Sequence, residues 1–340
     1  QVSPQVALTR SAIQGTDAAT DGTAMGSIAV YASNATTNNA TNNYGLYAYS
    51  GGSWSNSGTD KIYLSAEEAN IYAHYPAYKP GTGGALATTG TALKVNGSGQ
   101  VTANSTVNIS VFPGTESAAI DASTDNSGSS TALLTASGEV DYMYADQTST
   151  PKASYKKGVS AKDGKVTLSM KHALAMVSFR VYADHTYKNT GALTKLVLKN
   201  VNSATILNNG GTNPTMKISD GTITPGSSPA AVTYTRGISN YTLQKASADT
   251  DAARTTAQNA SKKVSILVLP ESTQDKTNVE VTLKIDGQDY AVSLGNAATN
   301  AWKAGENYLY TVKLSGKELS ITNVTVAQWS AKTGGDLNIQ

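Results

Sequence analysis

Along most of this chain apolar and polar residues alternate with a period of two over stretches of five to eight residues, and clusters of Gly, Asn, Asp and Pro punctuate them. A period of two puts successive side chains on opposite faces of an extended strand, so the pattern predicts strands, and the punctuation predicts turns. The clearest case is VEVTLKIDGQDYAVSL at 279–294, in which Asp286-Gly287 is a two-residue hairpin signal. With those two residues as the loop, Ile285 faces Gln288, Leu283 faces Tyr290, Val281 faces Val292 and Val279 faces Leu294. On the opposite face Lys284 meets Asp289, an opposite-charge pair contributing a few tenths to about 1 kcal/mol. Turn, pattern and charge select a single register.

Further strands are expected at 166–170, 174–182, 193–201, 264–269 and 308–314 in the second half, and at 27–32, 44–49, 61–64, 69–75 and 106–111 in the first. After 308–314 a short loop leads to a last strand, in which Leu319 and Ile321 are followed by Val324 and Val326. The change of phase at Asn323 predicts a bulge or a break. Helical periodicity is hard to find, and the architecture reads as an all-β sandwich.

At 340 residues the chain is long enough for two cores of ordinary size. The stretch TPKASYKKGVSAKDG at 150–164 gathers Pro, Gly and Lys between apolar segments and places a domain boundary near residue 160, giving domains 1–160 and 161–340. Long polar connections at 34–43 and 122–130 read as solvated loops.

Composition narrows function mainly by exclusion. With 26 basic and 24 acidic side chains among 15% charged residues, there is no field to draw nucleic acid or anionic lipid. Cysteine is absent, which removes disulfides and thiolate metal sites. No apolar run approaches the roughly 18 residues of a membrane span. The three histidines, His74, His172 and His185, lack metal-ligand spacing, and neither a GxSxG elbow nor a GxxxxGK[ST] loop occurs. His172 reads as a hydrogen-bonded structural histidine. Asp121 to Gly128 starts like a calcium loop but has Asn126 at the glycine position and Ala132 at the bidentate glutamate position, which favours a polar loop. Glu67-Glu68 are adjacent in sequence rather than facing across a cleft, so they read as solvated turn residues. Trp302 and Trp329 flank strands and read as core plugs, while Trp54, in SGGSWSNSG, is open to a second reading as a sugar-stacking platform.

Five segments in order resemble the fimbrillin family, the subunits of V-type pili of anaerobic gut and oral bacteria. They are ALTRSAIQG at 7–15, IYLSAEEANIYAHYPAY at 62–78, DYMYA at 141–145, KHALAMVSFRV at 171–181, and WKAGENYLYTVKL at 302–314 with its following Leu-x-Ile strand and Trp329. The resemblance implies two transthyretin-like β-sandwich domains in tandem, no enzymatic activity and no cofactor. It also implies an extracellular, cell-surface location reached through an outer-membrane lipoprotein precursor, although the lipid-bearing cysteine is not among these residues. Its expected partners are other pilus subunits, a trypsin-like maturation protease and a host or bacterial surface ligand. Carried onto this chain, the protease would cut between Arg10 and Ser11 and release the first strand. The donor strand for a neighbouring subunit would come from about 317–340, with Leu319, Ile321, Val324, Val326 and Trp329 filling the groove. The alternative reading is a monomeric adhesin or glycan-binding tip protein on the same scaffold.

Overall fold

The computed structural model describes residues 25–33, 44–50, 53–56, 62, 69–77, 102–123, 133–146, 152–153, 165–316, 318–328 and 332–338. The first half contributes β1 (Ser27–Ser33), β2 (Tyr44–Ser50), β3 (Ser53–Ser55), β4 (Ala69–Tyr75), β5 (Thr106–Asn108), β6 (Ile120–Asp121), β7 (Leu133–Leu134), β8 (Met143–Ala145) and β9 (Lys152–Ala153). The second contributes β10 (Lys165–His172), β11 (Ala175–Ala183), β12 (Leu193–Asn200), β13 (Thr215–Lys217), β14 (Ile223–Thr224), β15 (Tyr234–Ser239) and β16 (Gln244–Lys245). Helix α1 (Asp251–Ala260) follows, then β17 (Lys263–Val268), β18 (Asp275–Ile285), β19 (Gln288–Asn296), β20 (Glu306–Ser315), β21 (Glu318–Gln328) and β22 (Lys332–Asn338).

Two sheets built mainly from the second half face each other across one core. One runs β21-β20-β11-β17-β7 with β16 added to β11, and the other runs β19-β18-β12-β15-β6. Alternate residues of β11 (Val177, Phe179, Val181) and of β20 (Tyr308, Tyr310, Val312, Leu314) share one core with Leu196 and Leu198 of β12 and Val281, Leu283 and Ile285 of β18. The period-two alternation is what puts these side chains on one face. At 279–294 the ladder pairs Ile285 with Gln288, Lys284 with Asp289, Leu283 with Tyr290 and Val281 with Val292, as the turn signal predicted. Asp286 and Gly287 both have positive φ, 49° and 80°, as a type I′ turn demands. The fourth expected pair, Val279 with Leu294, does not form, because the ladder shifts between Lys276 and Glu280. The phase change at Asn323 is a bulge: Thr311 pairs with Asn323 and Val312 with Ile321, leaving Thr322 as the extra residue.

The third large sheet, of order β22-β10-β8-β4-β1-β2-β3, has a core on each side. Ile28, Val30 and Ala32 of β1 pack with Trp54, Ile71 and Met170, whereas Ala29 and Tyr31 pack with Val107, Met176, Met216 and Leu267. Strands buried on both faces leave little room for polar residues, and His74 of β4 meets that constraint as a neutral ring. Its Nδ1 lies 2.8 Å from the carbonyl of Pro76, which can only accept, so Nδ1 carries the proton and Nε2 accepts from the Tyr31 hydroxyl at 3.1 Å. Burial pushes the His74 pKa down to about 4. The unfolded chain takes up a proton below about pH 6.5 that the folded ring refuses. Stability is therefore expected to fall by about 3 kcal/mol from this group between pH 6.5 and 4. Subtracting the pH profile of a His74→Gln variant from that of the wild type, by chemical denaturation, isolates the contribution.

Ladders cross residue 160 in both directions. β10 pairs with β8 inside the third sheet, while β5, β6 and β7 pair with β13, β15 and β17. A division at residue 160 thus does not coincide with a change of sheet; the chain changes sheet between His172 and Ala175. A buried ion pair reinforces this interlocking. Glu139 Oε1 accepts from Arg236 Nη2 and, at 3.0 Å, from Leu267 N–H. The Arg236 guanidinium also donates to the carbonyls of Phe112, Pro113 and Thr235 and lies 5.6 Å from the centre of the Phe112 ring. Gly114, at φ +73°, must be glycine here, since a Cβ would run into the Thr235 carbonyl and the guanidinium.

Helix α1 was not visible as an apolar stripe. It is capped by Thr250, whose hydroxyl accepts from Ala253 N–H, and it buries only Ala257, beside Tyr182 and Ala246. Its inward side is made of alanines on an otherwise polar helix, so no row of large apolar residues marks it in the sequence.

Candidate assembly surface

β21 and β22 lie within the segment 317–340 expected to serve assembly. β20 and β21 make a hairpin whose ladder runs from Ser315–Glu318 to Glu306–Gln328, and β21 is the edge of its sheet. Leu319 is buried, and Ile321 and Val324 are half-buried against the main core. Val326, at 36% exposure, is the one large hydrophobic residue that is exposed among the described residues. A long edge strand with exposed backbone donors and acceptors and an open apolar residue is a template for another chain.

β22 then appears on a different sheet. It pairs antiparallel with β10, from Lys165–Asn338 to Met170–Lys332, with a shift between Thr167 and Ser169. The end of the chain thus leaves one sandwich and becomes the outermost strand of the sheet built mainly from the first half.

Of the residues expected to serve assembly, Leu319, Ile321, Val324 and Val326 stand together on β21, paired with β20 of their own chain. Arg10, Ser11 and Trp329 lie outside the described residues, as do Glu67 and Glu68. Over 317–340, expected as one donor segment, the structure forms two strands, β21 and β22. The stretch KTGGDLN offers no alternation from which a strand could be read.

Candidate chemistry elsewhere resolves into structure. Trp54 is 1% exposed, in β3, with its ring 5.4 Å from that of Tyr49, so it presents no face to solvent as a sugar platform. Trp302 is buried, and its Nε1–H donates to the Tyr310 hydroxyl at 3.1 Å. His172 Nδ1 lies 2.9 Å from the Asp141 carboxylate, both buried. Asp121 Oδ1 accepts from Ser123 N–H at 2.9 Å and from Asn240 Nδ2 at 2.9 Å, and the remainder of the calcium-like stretch, 124–132, lies outside the described residues. Among the described residues no three His, Asp or Glu side chains converge as metal ligands. None of the described helices is long and apolar enough to cross a membrane.

An all-β fold of stacked sheets, with β21 and β22 each at the edge of a sheet, defines a β-sandwich protein. The chain belongs to the fimbrillin-like family, whose match extends over residues 9–329. No curated protein matches it. Among solved structures it is similar to a candidate cell adhesion protein from Bacteroides uniformis, at 17% identity and a TM-score of 0.53, covering 90% of this chain and 92% of that one. A candidate cell adhesion protein from Bacteroides ovatus is alike at 16% identity and a TM-score of 0.53, with 90% and 88% covered. A fimbrial protein from Bacteroides vulgatus follows at 12% identity and a TM-score of 0.51, with 89% and 92% covered. At these identities the likeness establishes the fold. Family membership places the protein at the cell surface and points to a structural role in association with other pilus subunits.

Proposed function

We propose that the protein is a structural subunit of a surface fimbria, without an active site, that polymerises when the terminal strand of one copy completes a sheet of the next. The observation carrying this reading is the path of the chain end, which leaves the β20–β21 hairpin and pairs as β22 with the free side of β10. The backbone ladder on β10 is indifferent to whether its partner comes from the same molecule or from a neighbour, so a strand joined by a short connector is suited to exchange.

The exchanged part is then 329–340 rather than 319–328. Leu319, Ile321 and Val324 pack on the core, at about 1.5–3 kcal/mol for each aliphatic side chain fully buried, and β21 is laddered to β20 along its length. Extracting it would uncover the sandwich. β22 is laddered to β10 in a different sheet, so exchanging it leaves the β20–β21 ladder in place. Cleavage between Arg10 and Ser11 by a trypsin-like protease supplies the trigger, and secretion as a lipoprotein supplies the route to the surface. The descriptions of the Bacteroides structures as candidate cell adhesion proteins support a contribution to adhesion.

Limited trypsin digestion, with mass spectrometry of the amino terminus and electron microscopy of the product, tests the scheme. Loss of residues 1–10 followed by filaments is expected from the full chain, and a folded monomer under the same treatment from a chain ending at residue 328. Filaments from the shortened chain would rule out exchange of the terminal strand.

A further inference from the structure

A cavity of about 330 Å3 lies between the segment that follows β5 and the loop that precedes β13, within the size range of small-ligand pockets. It opens where pairing stops. β5 is laddered to β13 through Asn108 and Thr215, and Ile109 N–H still donates to the Pro214 carbonyl at 2.9 Å; beyond that point the two segments form opposite walls. Buried Tyr142 reaches in with its hydroxyl, which accepts from Ser110 N–H at 3.1 Å and lies 3.3 Å from Ser110 Oγ.

The far wall is built before any ligand arrives. Asn209 Oδ1 accepts from the N–H groups of Gly211 and Ala230, each at 2.9 Å, and Gly226 N–H donates to the Gly210 carbonyl at 2.8 Å. Asn213 sits at φ +58°, and its Oδ1 accepts from Asn108 Nδ2 at 3.3 Å. Asn108 is itself buried, and its Oδ1 has no partner among the described residues.

The chemistry of the lining selects a ligand class. None of the ten lining residues carries a charge, so an anion or cation entering here would lose water with no counter-charge in return. Three carboxamides and two hydroxyls offer both donors and acceptors, which a purely apolar ligand would leave unsatisfied. Between these polar groups Ile109, Val111 and Pro214 supply apolar surface. A ring bearing hydroxyls on its edge and C–H groups on its faces matches both parts of the lining. We propose that this cavity is a binding site for the terminal sugar of a neutral glycan. None of the lining residues belongs to β21 or β22, and the inference does not depend on polymerisation.

The test uses the full chain on an array of neutral, sialylated and sulfated glycans, followed by saturation-transfer NMR with the methyl glycosides of galactose, mannose and N-acetylglucosamine. Wild type is expected to bind neutral glycans in preference to charged ones. Asn213→Gly keeps the positive φ while removing the carboxamide, and binding should weaken about tenfold. Ser110→Trp places bulk at an exposed rim position, and binding should be lost while the thermal unfolding curve and filament formation stay as in wild type. Absence of neutral-glycan binding by the wild type, a preference for sialylated or sulfated glycans, or undiminished binding by Ser110→Trp would each overturn the proposal.

Discussion

Replacing Arg236 with Met is expected to destabilise the protein by about 3–5 kcal/mol, because it strands the Glu139 carboxylate in a site with almost no exposure. Burial already pushes the Glu139 carboxyl above its usual range, against the opposing pull of the Arg236 guanidinium and the Leu267 N–H. Removing the guanidinium raises it further. A carboxyl whose folded pKa lies above its unfolded value holds its proton more tightly when folded, so it penalises folding progressively as pH rises past about 4.5. The loss in Arg236→Met should therefore be larger at pH 8 than at pH 5. Adding Glu139→Leu should recover the part due to the stranded charge and leave about 1–3 kcal/mol for the carbonyls of Phe112, Pro113 and Thr235 and the Leu267 N–H. Denaturant titrations at the two pH values decide it. Equal losses at both, or a double variant as unstable as the single one, would show that the ion pair does not carry the effect.

Trp302→Ala should cost a similar amount, about 3–5 kcal/mol, for a different reason. The ring is 1% exposed in the main core, its N–H feeds a chain through the Tyr310 hydroxyl to Asn300 Oδ1, and the Lys276 ammonium lies 4.5 Å from the ring centre. Burial holds the Lys276 pKa down to about 8, so the ammonium has lost much of its water and leans on the aromatic face and on the Thr273 carbonyl. Trp302→Phe keeps a ring under the cation but loses the N–H donor and part of the indole's buried volume, so about 2–3 kcal/mol is expected. Chemical denaturation of the two variants separates what the ring under the cation contributes from what the N–H and the rest of the indole add. If Phe costs as much as Ala, the N–H and the rest of the indole outweigh the ring under the cation.

The strands of the second half were readable because their two faces differ. In β18 the burial alternates residue by residue from Val279 to Ile285, and the Asp286-Gly287 turn leaves one register in which apolar side chains meet. The first half was less readable. Its strand β1 is buried on both faces, so alternation carries no information there, and the expected strand at 106–111 ends at Asn108 where the cavity begins. Asp286 shows both situations in one residue. Its place in the turn is legible from the pair Asp-Gly, yet its carboxylate also accepts from the Tyr187 hydroxyl at 2.6 Å and from the N–H groups of Gly191 and Ala192 at 2.8 and 2.9 Å, nearly a hundred positions away.

The candidate sites divide in the same way. The apolar positions Leu319, Ile321, Val324 and Val326 could be read from period and phase, which left a bulge or a break at Asn323 that the ladder resolves as a bulge within one strand. By itself the sequence determined that the protein is an all-β sandwich with a strand-rich carboxy-terminal end and no recognisable catalytic motif, because local alternation and turn chemistry are properties of neighbouring residues. Only the tertiary structure decided that β10 joins the first-half sheet, that β22 crosses to its edge, that Glu139 meets Arg236, and that two neutral segments about a hundred residues apart enclose a cavity. Every strand offers the same backbone donors and acceptors, so the choice of partner rests on packing and loop closure over long separations, and these leave no periodic mark in the chain.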